Sequence, residues 1–259
     1  RIVSIAHDNQ SNLIYVGGIS GVFGSYNASS NFLYPLNATD PNNWFGSDTV
    51  NSVTYNSKNG LIYLSGDNGK FGSYNISTNI TSNLSETDTN DWIGVSVLHA
   101  LAYDSKRGII FMAGTNGKFG MYNSSSNQTY NLNDTDTNDW IGGITIRSLV
   151  YDKDRDLVYL GGYSGVFGVY NASTNITSNL METDTGGWVG TTDIYKIEYD
   201  ENNDLVYLGG GGAADSLFGV YNATNNVTSD LNSADSGNFI GSKDINSLAY
   251  DKSIGILYV

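Results

Sequence analysis

The chain has 259 residues, no cysteine, and 26 acidic against 12 basic residues, giving a formal net charge of −14 at pH 7. That balance excludes a nucleic-acid binder, which needs a Lys/Arg surface for phosphates, and the missing cysteines exclude disulfide staples. Only 15% of the residues are charged, so Asn, Ser, Thr, Tyr and Gly carry the polar load, and no apolar run approaches the roughly 18 residues of a membrane span.

One unit recurs along the chain. Trp44, Trp92, Trp140 and Trp188 follow one another at intervals of 48 residues, and Phe239 takes the fifth slot after a three-residue insertion. Tyr26-Asn27, Tyr74-Asn75, Tyr122-Asn123, Tyr170-Asn171 and Tyr221-Asn222 keep the same beat. Such a period, written in strand-type residues, predicts an all-β fold: a β-propeller of four-stranded antiparallel blades. The repeats run at about 2–49, 50–97, 98–145, 146–193 and 194–244, with 245–259 supplying two strands of a sixth. A single propeller domain over 1–259 is expected, six or seven blades when intact. The start at Arg1 and the stop in mid-repeat point to a piece of a longer chain.

Each unit opens with a strand (50–55, 98–103, 146–151, 194–199 and 245–250) whose alternation separates two faces. Ser52, Ala100, Ser148 and Ser247 mark a small face, broken by Lys196, while Val53, Leu101, Leu149 and Leu248 mark a large one. A small face against a large face fills the space between packed blades. After an Asp/Asn/Lys/Gly turn comes a nearly all-apolar second strand, as in Leu61-Ile62-Tyr63-Leu64, which reads as buried on both sides. A Gly-rich turn, a third strand such as Phe71-Gly72-Ser73-Tyr74, and a polar fourth stretch (79–84, 175–180) suited to an outer edge complete the blade. An Asp-rich loop carrying the Trp leads onward.

Leu157-Val158-Tyr159-Leu160-Gly161-Gly162, followed by Val169-Tyr170-Asn171 and Trp188, resembles kelch repeats, although Ser65-Gly66 and Ala113-Gly114 replace the double glycine in two units. The stretch 245–251 with Ile256-Leu257-Tyr258-Val259 also resembles regulator-type propeller repeats and the YVTN-type propellers of archaeal surface-layer proteins. The resemblance covers the whole chain and implies a fold; propellers host enzymes, lectins and scaffolds alike.

The densest chemical signal is the Asn-x-Ser/Thr acceptor of N-linked sugar. It occurs at Asn9, Asn27, Asn37, Asn75, Asn79, Asn83, Asn123, Asn127, Asn133, Asn171, Asn175, Asn222 and Asn226. Composition alone predicts about six such motifs, and a tandem pair follows the third strand in four consecutive repeats. Asn, Ser and Thr also simply make good turns. An Asp stands four residues before each aromatic (Asp40, Asp88, Asp136, Asp184, Asp235), joined in two units by Asn90 and Asp91 or Asn138 and Asp139. These oxygens suit either Ca²⁺ or a turn capped by a carboxylate, and the capped turn is the expectation, with no cofactor.

His7 falls where other units carry Tyr and reads as a packing substitute. A variable slot on the first strands holds Val3, Asn51, His99, Arg147, Tyr195 and Asn246; the last five are candidates for a channel-rim binding site, or a tolerant solvent-facing row. Glu198 is odd in its strand, with Lys196 on the same face as a ready ion-pair partner. No second carboxylate, Ser-His-Asp set or phosphate-cradling loop accompanies it, so a catalytic role for Glu198 with Arg147 and His99 ranks last. The expected protein is a non-catalytic extracellular glycoprotein of a surface layer, sheath or filament. Its partners would be N-linked glycans and further copies or other surface proteins. A carbohydrate-binding or adhesion propeller is the alternative, and a glycosidase or lyase the third.

Overall fold

The computed structural model describes residues 1–39, 43–88, 90–136, 138–212, 216–237 and 239–259. It is all-β apart from single 3-10 turns. Blade one holds β1 (Ile2–Asp8), β2 (Leu13–Gly18), β3 (Phe23–Asn27) and β4 (Phe32–Pro35). Blade two holds β5 (Val50–Asn56), β6 (Leu61–Gly66), β7 (Phe71–Asn75) and β8 (Ile80–Asn83). Blade three holds β9 (Leu98–Asp104), β10 (Ile109–Gly114), β11 (Phe119–Asn123) and β12 (Gln128–Asn131). Blade four holds β13 (Ile146–Asp152), β14 (Leu157–Gly162), β15 (Phe167–Asn171) and β16 (Ile176–Asn179). Blade five holds β17 (Asp193–Asp200), β18 (Leu205–Gly211), β19 (Ser216–Asn222) and β20 (Val227–Asp230), and a two-stranded piece, β21 (Ala249–Asp251) with β22 (Ile256–Tyr258), follows. Every blade is an antiparallel meander in chain order, as expected of propeller blades. The insertion of the fifth repeat lengthens the hairpin of β18 and β19, adding the pairs Gly210–Leu217 and Gly211–Ser216.

The chain divides into two compact units, 1–133 and 134–259. In the first, blades one to three stack face to face. The large-face residues Val53 and Leu101 are buried, and the small face does more than leave room: Ser4 Oγ accepts the Val53 N–H at 3.0 Å and Ser52 Oγ the Leu101 N–H at 3.1 Å. Within the unit, the tyrosine of a Tyr-Asn pair crosses to the preceding blade. Tyr74 lies edge-on to Phe23 (5.5 Å) and Tyr122 edge-on to Phe71 (5.3 Å). The second unit repeats the scheme, with Ser148 Oγ accepting the Ile197 N–H at 3.1 Å and Tyr221 edge-on to Phe167 at 5.5 Å.

The tryptophans bind one blade to the next in the same way. Trp44 covers Gly72, Trp92 covers Gly120, Trp140 covers Gly168 and Trp188 covers Gly219. A methyl on any of these third-strand glycines would enter the indole ring. All four indole N–H groups are buried without a hydrogen-bond partner, so the slot asks for a flat apolar ring. Phe239, in the fifth slot, is 85% exposed. Ile5 is 65% exposed where its counterpart Val53 is buried.

Candidate functional site

Two features repeat on the blades with chemistry beyond packing, one at the outer hairpins and one at the first strands.

The outer hairpin joins the third and fourth strands through a four-residue loop. The first Asn of each tandem folds its Oδ1 back over the loop. Asn75 accepts the N–H groups of Ser77 (2.9 Å) and Thr78 (3.1 Å), and Asn27, Asn123, Asn171 and Asn222 do the same in their blades. The second Asn sits at positive φ, 59° at Asn79, 54° at Asn127 and 58° at both Asn175 and Asn226, a backbone region Asn tolerates better than most side chains. Its Oδ1 accepts the hydroxyl of the Tyr five residues earlier: Tyr74 to Asn79 at 2.7 Å, and Tyr122, Tyr170 and Tyr221 to Asn127, Asn175 and Asn226 at 2.9 Å each. The side-chain amide oxygen is therefore spent on the turn in both. Among the described residues no hydrogen bond uses the amide nitrogen, the atom that N-linked sugar would occupy.

The other acceptor motifs differ from these. Asn9 and Asn83 are exposed, and Asn83 Oδ1 accepts the Ser85 N–H at 3.0 Å. Asn37 and Asn133 spend both ends of the side chain. Asn37 donates to the Gly21 carbonyl and accepts from Phe23 N–H, while Asn133 donates to the Gly117 carbonyl at 2.6 Å and accepts from Phe119 N–H at 3.3 Å.

The carboxylates of the acidic loops cap turns. Asp88 accepts the N–H groups of Trp92 (3.2 Å) and Ile93 (2.9 Å), Asp136 those of Trp140 and Ile141, and Asp184 those of Trp188 and Val189. Asp235 takes the N–H groups of Phe239, Ile240 and Gly241, which hold its pKa below the usual carboxylate range. Asp40 lies outside the described residues. No group of three or more His, Asp or Glu side chains converges as a metal site among the described residues.

The variable slot of the first strands turns out to be a β-bulge. In blade four the register steps from Ile146–Gly162 to Ser148–Gly161, passing over Arg147, and the same step passes over Val3, Asn51, His99 and Tyr195 in their blades. A bulge re-aims its side chain and twists the strand end. The second glycine of the repeat makes this possible. A Cβ on Gly66, Gly114, Gly162 or Gly210 would collide with the carbonyl oxygen just ahead of the bulge, whereas the preceding position needs only a small residue, which Ser65 and Ala113 satisfy. Asn246 precedes β21, is exposed, and stands in no bulge.

In blades two and four the bulge residue meets a second variable position, the first residue after that glycine, which sequence reading missed. Asn51 Nδ2 donates to Asp67 Oδ1 at 2.9 Å, and Arg147 lies over the ring of Tyr163, 5.4 Å from its centroid. Tyr163 in turn stands edge-on to Tyr195 at 6.3 Å. Burial first, then Asp244 and Asp193 nearby, raise the Tyr195 pKa. The signal was present as the varying residues Ile19, Asp67, Thr115, Tyr163 and Gly211 behind a constant glycine.

Glu198 does not join this row. It pairs with Tyr207 in the strand register, accepts the Tyr250 N–H, and has its pKa raised chiefly by burial, which Lys196 opposes. No ion pair joins it to Lys196 among the described residues. Because the folded protein disfavours the ionised form, Glu198 weakens folding above its raised pKa and is neutral below the unfolded value near roughly 4.3. Glu198→Gln is therefore expected to raise Tm at pH 7 and leave it unchanged below pH of about 4, which thermal unfolding at the two pH values checks.

No helix among the described residues is long and apolar enough to cross a membrane. The chain matches no protein-family model, and no curated protein matches it. The class defined by fold and site is thus a propeller-like repeat protein of four-stranded blades with two repeated surface features.

Proposed function

We propose that this chain is a non-catalytic extracellular glycoprotein, part of a cell-surface layer, sheath or filament, with its blades carrying N-linked glycans on their outer hairpins. The observation that carries this reading is the hairpin itself. In four successive blades a tandem pair of acceptor asparagines is held by the same Asx turn and Tyr–Asn bond through the amide oxygens alone. The scarcity of charge fits a surface that sugar and hydroxyls keep soluble. The similarity of the repeats to YVTN-type surface-layer propellers points in the same direction.

The second reading is carbohydrate binding, favoured by the Arg147–Tyr163–Tyr195 array at the bulges, where a cation and two rings stand together. Glycopeptide mass spectrometry on protein from its native source decides between them. Sugar on Asn75, Asn123, Asn171 or Asn222 is the expected result; bare asparagine at every site would move the binding reading to the front.

A further inference from the structure

The two acceptors of each tandem look alike in sequence but differ in the hydroxyl two residues on, which is part of the motif a glycosyl transferase must recognise. After the first Asn that residue lies at the surface, although in two blades its hydroxyl is engaged there, Ser173 Oγ donating to Asp156 at 2.6 Å and Thr224 Oγ1 to Asp204 at 3.1 Å. Ser29, Ser77, Ser125, Ser173 and Thr224 are all exposed at the loop. After the second Asn it is closed. Thr81, Thr129, Thr177 and Thr228 are buried at 6%, 6%, 5% and 7% exposure.

Burial has a cause in the blade stack. Thr81 Oγ1 bonds Thr39 Oγ1 of the preceding blade's exit turn at 2.7 Å, and Thr228 bonds Thr183 at 2.9 Å. Thr177 bonds Thr135, and Thr129 Oγ1 donates to the Thr87 carbonyl at 3.0 Å. The exit-turn threonine in turn donates to a leucine carbonyl, as Thr39 does to Leu36, Thr87 to Leu84 and Thr183 to Leu180, each at 2.6 Å. Every second-site hydroxyl is thus a latch between blades, formed only when two blades have docked.

We infer that the two sites of each tandem are modified at different stages: Asn79, Asn127, Asn175 and Asn226 take sugar only before their blades dock, whereas Asn75, Asn123, Asn171 and Asn222 remain acceptors in the folded protein. This rests on the glycoprotein reading and adds an order of events to it. Transfer to the second Asn requires its side-chain nitrogen and the Thr hydroxyl to be presented together, and docking buries the Thr while leaving the Asn exposed. A sugar already there is compatible with the fold, because the second Asn of each tandem is exposed and Tyr engages only its amide oxygen. Asn37 and Asn133 fall outside both groups: their nitrogens bond turn carbonyls, so neither is expected to carry sugar in the native protein.

The test uses the full chain made in a host without N-glycosylation. The folded protein is incubated with a purified oligosaccharyltransferase and a lipid-linked sugar donor, and the same chain is translated in vitro with both present; glycopeptides are then quantified. In the folded protein, occupancy at Asn75 is expected to exceed that at Asn79 by at least about tenfold, since exposing Thr81 requires local opening of the blade interface. During translation the two are expected to approach each other. Equal occupancy of Asn75 and Asn79 in the folded chain would overturn the inference. Failure of every site under both conditions, with a control acceptor peptide modified, would overturn the glycoprotein reading and the inference with it.

Discussion

Gly120→Ala is expected to destabilise the protein by about 3 kcal/mol, at the upper end of what overpacking costs, with a fall in Tm of roughly 10 °C. The alanine Cβ would sit inside the indole of Trp92 and press on the Tyr130 carbonyl oxygen. The ring cannot withdraw, because Asp88 grips the backbone on its near side by accepting the N–H groups of Trp92 and Ile93. Trp92→Ala is expected to cost about 4 kcal/mol through the cavity it opens. The two changes together should cost clearly less than their sum, since the new methyl enters the space the indole vacates, with a coupling of about 1 kcal/mol or more in a double-mutant cycle. Trp92→Phe should be the mildest change, because the indole N–H it removes has no partner. Additive effects at Gly120 and Trp92 in urea unfolding would show that the ring and the glycine do not act as one joint.

The blade was legible in the sequence because its rules are local. Alternation in 50–55 separated Val53 from Ser52, the apolar run 61–64 marked a strand buried on both faces, and Asp88 four residues ahead of Trp92 closed a turn within its own reach. What stayed hidden depends on register or on a neighbour some 42 to 49 residues away. Arg147 was visible as a variable slot, but nothing in its spacing shows that the pairing slips there, since a bulge belongs to two strands at once. Its partner Tyr163 was missed for the same reason. Ser52 was read as merely small, although its hydroxyl takes the Leu101 N–H across the blade interface. The sharpest case is the tandem motif: Ser77 and Thr81 belong to adjoining acceptors, yet one faces solvent and the other Thr39 of another blade. Lys196 and Glu198 do share a face, as alternation requires, but burial dominates Glu198 and no ion pair forms among the described residues.

Arg155→Met is expected to cost about 2 kcal/mol at pH 7. Removing one partner of a fully buried pair costs more than that, and here the loss is reduced because Arg155 and Asp204 are each about one-third exposed and partly screened. Arg155 lies in the turn between β13 and β14 and reaches the corresponding turn of blade five. Its Nη1 bonds Asp204, lies 3.4 Å from Asp152 Oδ2 and donates to the Tyr199 hydroxyl at 3.4 Å. Asp152 is the costly member, since its side chain is wholly buried. Its Oδ1 still accepts the N–H groups of Asp154 and Arg155, but its other oxygen would lose its cation. The pH dependence follows from Asp204, whose pKa is held down to about 2, first by the hydrogen bond from Arg155, against an ordinary value of 3.8. A carboxylate with a depressed folded pKa stabilises the fold above its unfolded value and loses that contribution as pH falls through the folded one. The gap between wild type and Arg155→Met should therefore be widest near neutrality and narrow between pH of about 4 and about 2. Arg155→Lys should recover only part of it, because one ammonium nitrogen cannot replace both Nη1, which meets the two carboxylates, and Nη2, which reaches Thr224 Oγ1 at 3.5 Å. Unfolding at pH 7, 4 and 2 checks this: a gap that persists unchanged to pH 2 would mean that the arginine stem, through packing between the two blades, rather than its charge, supplies the stability.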